Sequence, residues 1–133
     1  MKLITRDTDY AIRAICFMAE NGNGIVSVSE LAQKLKIPRS FLRKILQVLN
    51  KKKVLTSFKG KSGGFKLRRR PRDIFITDLI KVFQGPIELN RCIFKKKLCS
   101  SVDRCILREK VGEIEQRVVS ELGLITVESL LRR

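Results

Sequence analysis

The 133-residue chain contains no histidine. This absence excludes Ser–His and Cys–His nucleophile pairs, general acid–base catalysis by histidine, and histidine ligands to a metal. Enzymes that use only cysteine, lysine and carboxylates are still conceivable, but no arrangement of such residues in the sequence indicates one. We therefore expect a protein that is not an enzyme.

Long apolar runs are also missing. No run approaches the roughly 20 residues that span a bilayer, and the N-terminal segment MKLITRDTDY has no apolar signal core. We therefore expect a cytoplasmic protein that does not contact membranes. In a reducing cytosol, clustered cysteines more often bind metal or undergo redox chemistry than form structural disulfides.

Acidic residues are absent from residues 31–72, a stretch that holds 15 Lys and Arg. The whole chain has 29 basic and 13 acidic residues and a formal net charge of +16. Such a one-sided charge repels itself unless a polyanion neutralises it. The alternative, a solvated lysine-rich surface, usually has glutamate interspersed, so we expect nucleic acid as the partner.

Hydrophobic periodicity predicts two short helices in this basic region. The first covers residues 27–35 and opens with an S-x-x-E capping box formed by Ser27 and Glu30. The second begins at Pro38 and ends near Lys51, and its polar face carries donors and no acids. Its apolar face, expected to be buried, comprises Phe41, Leu42, Ile45, Leu46 and Leu49. This pattern is typical of a helix-turn-helix, in which the second helix enters the major groove. From that helix, the residues expected to contact DNA are Arg39, Ser40, Arg43, Lys44, Gln47 and Lys51.

A β-hairpin is predicted next, with strands over residues 54–58 and 65–67 around the turn KGKSGG. Glycine can take positive φ, so Gly63 and Gly64 should let the tip bend tightly against a phosphate backbone. A hairpin directly after a recognition helix is a wing; an ordinary surface hairpin is the alternative. A nucleotide-phosphate loop is disfavoured because its strand–loop–helix context is missing. The wing residues expected to contact DNA are Lys59, Lys61, Ser62, Gly63 and Lys66.

Further helices are predicted on both sides of the basic region. One covers residues 8–20 with Thr8 as its N-cap, and Thr77 is the predicted cap of a short one. A long helix is predicted over about residues 102–122, followed by a short helix that Thr126 caps. In the long helix, apolar residues recur at three- and four-residue steps: Leu107, Val111, Ile114, Val118 and Leu122.

The apolar stripe of the long helix could pack on the winged helix. We favour a dimer seam, because a compact winged helix already buries its own core. The expected fold class is mainly α with a small β-wing. It comprises a winged helix-turn-helix DNA-binding domain over residues 1–85, a cysteine-bearing loop over 86–105, and a dimerisation helix with a short C-terminal helix over 102–133.

Three of the four cysteines are clustered: Cys92, Cys99 and Cys105 are separated by six and five residues. Three thiolates cannot fill the four terminal positions of an iron–sulfur cluster or of tetrahedral zinc. Neighbouring Lys and Arg should lower the thiol pKa values and offset a negative cluster. The spacing favours metal or cluster binding over a thiol–disulfide switch or cysteines without a ligand role. Cys16 lies apart, on the apolar surface of the first helix, and should be a small core residue.

Several motifs make the chain recognisable: TDYAIRAI at the start, VSELAQKLKIPRSFLRKILQVLNKKKVL and KGKSGGFKL in the basic region, and ITDLIKVFQGP before the cysteines. Over nearly its whole length, the chain resembles the IscR/NsrR family of bacterial winged-helix regulators. The resemblance implies a homodimer with crossing long helices. It also implies an iron–sulfur cluster, 2Fe–2S or 4Fe–4S, held by Cys92, Cys99 and Cys105.

The resemblance also suggests a fourth ligand. IscR has a histidine three residues after the last cysteine, where this chain has Arg108, which cannot ligate. In NsrR-like members, an aspartate at the start of the first helix of the opposite subunit completes the cluster. The matching residue is Asp9, with Asp7 as the fallback and a small thiol or water as a further alternative.

The expected function is a homodimeric, sequence-specific DNA-binding transcription regulator that addresses a pseudo-palindromic operator. Its iron–sulfur cluster would sense cluster status, oxidative stress or nitric oxide. Lysines should mostly contact phosphates, whereas Arg43, Ser40 and Gln47 should contact bases. Many relatives carry Glu at the place of Arg43, so the DNA motifs of the family should not be transferred. Two other interpretations stay open: a zinc- or thiol-switch redox repressor, and a constitutive nucleic-acid-binding protein.

Overall fold

The computed structural model describes residues 3–22, 24–89 and 105–131. In chain order the elements are α1 (Arg6–Glu20), α2 (Val28–Leu35), α3 (Arg39–Lys51), β1 (Leu55–Phe58), β2 (Gly64–Leu67), α4 (Ile76–Gln84), α5 (Ile106–Leu122) and α6 (Val127–Leu131), with a 3₁₀ turn at Pro71–Asp73. The two strands pair antiparallel, with Leu55 opposite Leu67 and Phe58 opposite Gly64. The expected class, mainly α with a small β-wing, is confirmed.

One hydrophobic core joins α1, α2, α3, α4 and the hairpin. Each helix contributes apolar residues at three- and four-residue steps, so each buries one stripe and leaves its polar face outside. The stripe of α1 comprises Ala11, Ala14, Ile15 and Met18, and that of α3 comprises Leu42, Ile45, Leu46 and Leu49. No helix among the described residues is long and apolar enough to cross a bilayer.

The start of α1 differs from the prediction. The helix begins at Arg6 after Thr5, so Thr8 lies inside the first turn rather than at the N-cap. Thr8 is fully buried, and its hydroxyl lies 3.1 Å from the hydroxyl of Thr5. A buried hydroxyl needs a partner, and this contact between the two threonines supplies one. Thr8 is therefore a core residue and not a cap.

Among the other predicted caps, Thr77 is wrong because α4 begins one residue earlier, at Ile76. Ser27 does cap α2: its Oγ accepts the backbone N–H of Glu30 at 3.1 Å, which is one half of the predicted capping box. Thr126 likewise caps α6, since its Oγ1 accepts the backbone N–H of Ser129 at 3.1 Å.

After α5 the chain returns to the core of the winged helix. Val127 is fully buried, and its N–H donates to the carbonyl of Ile74 at 2.9 Å. The N–H of Ile76 donates in turn to the carbonyl of Ile125 at 3.0 Å. Through these contacts α6 packs against α1 and the 3₁₀ turn. Residues that follow the long helix therefore complete the core, and the C-terminal end of α5 is fixed to it.

By contrast, α5 buries none of its own residues within the described part of one chain. Leu107 is 70% exposed and Ile114 is 49% exposed, although both belong to the predicted apolar stripe. A polar contact joins α5 to the segment after α4: the N–H of Leu89 donates to a carboxylate oxygen of Glu115 at 3.1 Å. The other three residues of the stripe, Val111, Val118 and Leu122, are half-buried, and Leu122 packs against the core.

Candidate nucleic-acid interface and cysteine site

α3 and the hairpin enclose an open cleft of about 500 Å³. The cleft forms because β2 is held against the segment before α2, which places the hairpin turn beside α3. Six of the eleven residues expected to contact DNA line this cleft: Arg39, Arg43, Gln47, Lys59, Lys61 and Gly63. The structure therefore brings three of the six residues predicted from α3 and three of the five predicted from the hairpin together at one place.

The other five predicted contacts lie outside the cleft. In α3, a residue advances about 100° around the axis, so Ser40, Lys44 and Lys51 share the outward side of the helix, and all three are exposed. In the hairpin, Ser62 is exposed at the turn and Lys66 is half-buried on β2. Which of these side chains contact DNA stays a prediction.

The basic side chains of this surface keep their charge available. None of the Lys and Arg of α3 or of the hairpin forms an ion pair with a carboxylate in the part of the chain that the structure describes. Their charges can therefore be neutralised by an external polyanion without breaking an internal pair. When these side chains neutralise DNA phosphates, the release of counterions from the DNA would favour binding of the protein.

The hairpin turn depends on glycines, but not in the predicted way. Positive φ occurs at Gly60 (+104°) and Gly64 (+156°), whereas the φ of Gly63 is not positive. A glycine is needed at position 63 for a steric reason instead: a Cβ there would overlap the backbone carbonyl of Phe58. The turn reverses at Gly60, whose carbonyl accepts the N–H of Gly63 at 3.0 Å.

Gly64 fixes the hairpin against the rest of the domain. Its neighbour Phe65 exchanges two backbone hydrogen bonds of 2.8 Å with Val26, just before α2. A Cβ on Gly64 would overlap the carbonyl of Val26, so only glycine allows this close approach. The position of the wing relative to α3 therefore depends on Gly64.

Sequence reasoning missed some lining residues of the cleft. Ser29, Asn50, Ser57 and Phe58 contribute to it, and Phe58 is 41% exposed. The sequence signal was the position of Ser57 and Phe58 immediately before the basic turn, at the end of a strand. Asn50 could have been found from its seven-residue spacing from Arg43, which places both on one side of α3.

Phe41 also departs from its predicted place. It was assigned to the buried stripe of α3, but it is 40% exposed. The guanidinium carbon of Arg6, on α1, lies 4.6 Å from the centre of its ring. Phe41 therefore forms a cation–π contact at the surface instead of packing into the core.

Of the three clustered cysteines, Cys105 is described, while Cys92 and Cys99 lie outside the described residues. Cys105 is the N-cap of α5 and is half-buried, and its Sγ accepts the backbone N–H of Arg108 at 3.4 Å. The backbone at the start of α5 therefore orients the sulfur of Cys105.

The two candidate carboxylates lie in the first turn of α1. One oxygen of Asp9 is 3.0 Å from Nε of Arg13, and one oxygen of Asp7 is 3.5 Å from Nε of Arg6. Both carboxylates are about half exposed, so these ion pairs are weak and can be exchanged for another partner. Within the described segments, no three Cys, Asp or Glu side chains are grouped as a metal site.

Cys16 is a half-buried residue of α1. It packs against the core from α1. Burial raises the pKa of its thiol, and the neighbouring charge of Glu20 raises it further. A thiol held in its neutral form is a poor nucleophile and a poor metal ligand. The prediction of a small core residue is confirmed.

Comparison with known proteins decides the family. A family model described as "Rrf2: Iron-dependent Transcriptional regulator" matches residues 4–133, almost the whole chain. The chain belongs to the Rrf2 family of transcriptional regulators. This membership confirms the family expected from the sequence motifs, and it confirms that the chain is a DNA-binding regulator and not an enzyme.

Individual relatives agree with membership of the Rrf2 family. The chain is 33% identical over 124 residues to a candidate HTH-type transcriptional regulator of Aquifex aeolicus, covering 92% of this chain and 86% of the relative. Among solved structures, it is similar to CymR, the global cysteine regulator of B. subtilis, with a TM-score of 0.81 and 24% identity over 98% and 97% of the two chains. It is also similar to T. potens IscR, with a TM-score of 0.76 and 23% identity over 98% and 86%. At these identities, the two structures establish the shared winged-helix fold.

Proposed function

We propose that this Rrf2-family regulator binds operator DNA as a homodimer, and that an iron–sulfur cluster held by Cys92, Cys99 and Cys105 controls the binding. The observation that carries the proposal is the place of Cys105. Its sulfur sits at the N-terminus of α5 and accepts the backbone N–H of Arg108 at 3.4 Å, so the backbone orients one of the three candidate sulfur ligands. The description of the family as iron-dependent is consistent with this chemistry.

Asp9 is our candidate for the fourth ligand, donated by the opposite subunit. Its carboxylate is exposed in the first turn of α1, and its partner Arg13 lies on the same helix face, four residues later. Because an exposed pair of this kind contributes only about 0.5 kcal/mol, it would yield readily to a metal ligand. When bound, the cluster would supply a centre that oxidants and nitric oxide can modify.

α3 and the hairpin would bind the DNA. The solvent-facing surface of α3 would enter the major groove, where Arg43, Ser40 and Gln47 would contact base edges. The hairpin turn, with Lys59 and Lys61, would lie near the minor groove and its phosphates. This assignment is supported by the cleft that the two elements share and by the absence of acids between residues 31 and 72.

The homodimer is supported by two exposed apolar residues of the α5 stripe. In an isolated chain Leu107 is 70% exposed and Ile114 is 49% exposed, whereas packing against a second copy of α5 would bury them. Cys105 caps the start of α5, and the helix ends at the segment that leads into α6, which packs on the winged helix. We propose that α5 connects the cluster to the position of the DNA-binding domain.

The test is an anaerobic purification with an ultraviolet–visible spectrum and analysis of iron, sulfide and zinc. We expect a brown protein with iron and acid-labile sulfide. Cys92→Ala should lose the colour and the iron, whereas the matched variant Cys16→Ala should keep both, because Cys16 packs on the core. A protein that stays colourless after reconstitution, with zinc or no metal, would instead support a zinc or thiol switch of the same fold.

A further inference from the structure

The solvent-facing surface of α3 has three sides. Residues 39, 43 and 47 face the wing across the cleft, and residues 40 and 44 face outward. Phe41 is a further 100° around the helix from Ser40, so it lies on the flank away from the wing. On that flank α3 packs against α1, and Arg6 of α1 covers the ring of Phe41.

The contact between Arg6 and Phe41 leaves Arg6 able to bind an anion. Its guanidinium carbon lies 4.6 Å from the ring centre, so one face of the group is covered, yet 59% of the side chain remains exposed. Nε lies 3.5 Å from the carboxylate of Asp7, an exposed pair at the long end of the range. A stacked guanidinium still presents its terminal N–H groups edge-on, which is the geometry that matches phosphate oxygens.

The backbone that carries Arg6 is also fixed. The side-chain oxygen of Gln84, at the end of α4, accepts the N–H of Thr5 at 2.9 Å. The side-chain nitrogen of Gln84 donates to the carbonyl of Leu3 at 3.1 Å. These bonds hold the start of α1 against α4, and the ring of Phe41 then limits the side chain of Arg6. A side chain that is already ordered loses little entropy when it binds.

We propose that Arg6 contacts a DNA phosphate on the flank of α3 opposite the wing. The major groove is about 12 Å wide, and a helix with its side chains is about 10–12 Å across. A helix that lies in the groove therefore has a phosphate backbone along both flanks. The wing contacts one of these backbones, and Arg6, which is supported by Phe41, contacts the other. This inference rests on the proposed docking of α3.

The test compares Arg6→Gln with Arg117→Gln, an equal loss of charge at an exposed position of α5. Fluorescence anisotropy is measured between 50 and 200 mM salt on two duplexes: an operator selected from a random library with the wild-type protein, and a duplex of scrambled sequence. We expect Arg6→Gln to weaken binding to both duplexes by the same factor. Losing one phosphate contact should lower the salt slope by about 0.9, so the affinity ratio of wild type to variant should fall by about 3.5-fold over this salt range.

A double-mutant cycle tests the role of Phe41. Phe41→Leu keeps an apolar side chain but removes the aromatic face, so it should weaken DNA binding in the wild type and have no further effect in Arg6→Gln. Melting curves of all variants confirm that they fold.

Three results would overturn the inference. The salt slope of Arg6→Gln could match that of Arg117→Gln, or the loss could be confined to the operator, which would indicate a base contact. If the wild type bound neither duplex, the proposed docking of α3 would fail and the inference with it.

Discussion

Replacing Gly64 with alanine should detach the wing from the segment before α2. An added Cβ would overlap the carbonyl of Val26, and the φ of +156° disfavours any side chain. The backbone must then shift and lose the two 2.8 Å hydrogen bonds between Val26 and Phe65, which contribute about 1 kcal/mol each. Backbone strain adds about 1 kcal/mol. Gly64→Ala should therefore destabilise the protein by about 3 kcal/mol, or lower its Tm by roughly 10 °C.

Gly24→Ala is the matched control. Gly24 does not have a positive φ, and a Cβ there would meet nothing within 4 Å. The control should leave stability unchanged or raise it by about 0.5 kcal/mol. The assay is urea unfolding followed by circular dichroism, together with anisotropy on the selected operator, because a displaced wing should also weaken DNA binding. Equal unfolding midpoints for the two variants would refute this account of the wing.

The remaining predictions concern a base contact, the two hydrogen bonds of the half-buried Gln84 side chain, and a thiol. Arg43→Gln should lower affinity for the selected operator by about 1–3 kcal/mol, with a smaller effect on a scrambled duplex, as measured by anisotropy. Gln84→Ala removes the bonds to Thr5 and Leu3 and should cost about 2 kcal/mol in urea unfolding. Because burial raises the pKa of Cys16, its thiol stays protonated in the folded chain at a pH where it ionises in the unfolded chain. Stability should therefore fall as pH rises above the ordinary thiol pKa, and Cys16→Ala should reduce that fall in anaerobic urea titrations.

Each of these predictions has its own control. Lys51→Gln should weaken binding to both duplexes equally, and the same pattern for Arg43→Gln would contradict base recognition. Gln33→Ala, at an exposed position of α2, should leave stability within about 0.5 kcal/mol. If wild type and Cys16→Ala lost stability in parallel at high pH, the thiol would not be the responsible group.

Much of the winged helix could be predicted from local patterns. The three- and four-residue apolar spacing located α3, and Pro38 marked its start. The glycine-rich turn marked the point where the hairpin reverses. These signals are local, because they come from steric limits on single residues and from one buried helix face. Ser27 and Thr126 were found for the same reason, since a cap bonds to a backbone group three residues away.

The features that the sequence did not predict depend on contacts between distant parts of the chain. Threonine is a preferred N-cap residue, which is why the sequence predicts Thr8 as a cap. In the structure, α1 packs deeply enough to bury Thr8 beside Thr5. Val127 returns to the core from beyond α5, which no local pattern indicates. Phe41 was assigned to the core by its hydrophobicity, whereas its exposure follows from the position of α1.

At the cysteine site, too, local patterns could be predicted and longer-range features could not. Spacing indicated a ligand set, but the N-cap position of Cys105 depends on where α5 begins, and the prediction placed that start near residue 102 instead of at Ile106. The pairing of Asp9 with Arg13 follows from the four-residue helical spacing and could have been predicted. Joining Asp9 to the cysteines requires a second subunit, which stays a proposal.

Control of DNA binding by the cluster is tested most directly with one measurement: the affinity of the wild-type protein for the selected operator in its cluster-loaded and cluster-free forms, at one salt concentration and without oxygen. Coupling between two sites in a protein typically changes affinity by about 5- to 150-fold. We predict a difference of at least about 5-fold between the two forms, abolished in Cys105→Ser. Equal affinities for the loaded and cluster-free forms would contradict control by the cluster and would leave a DNA-binding protein without this sensor.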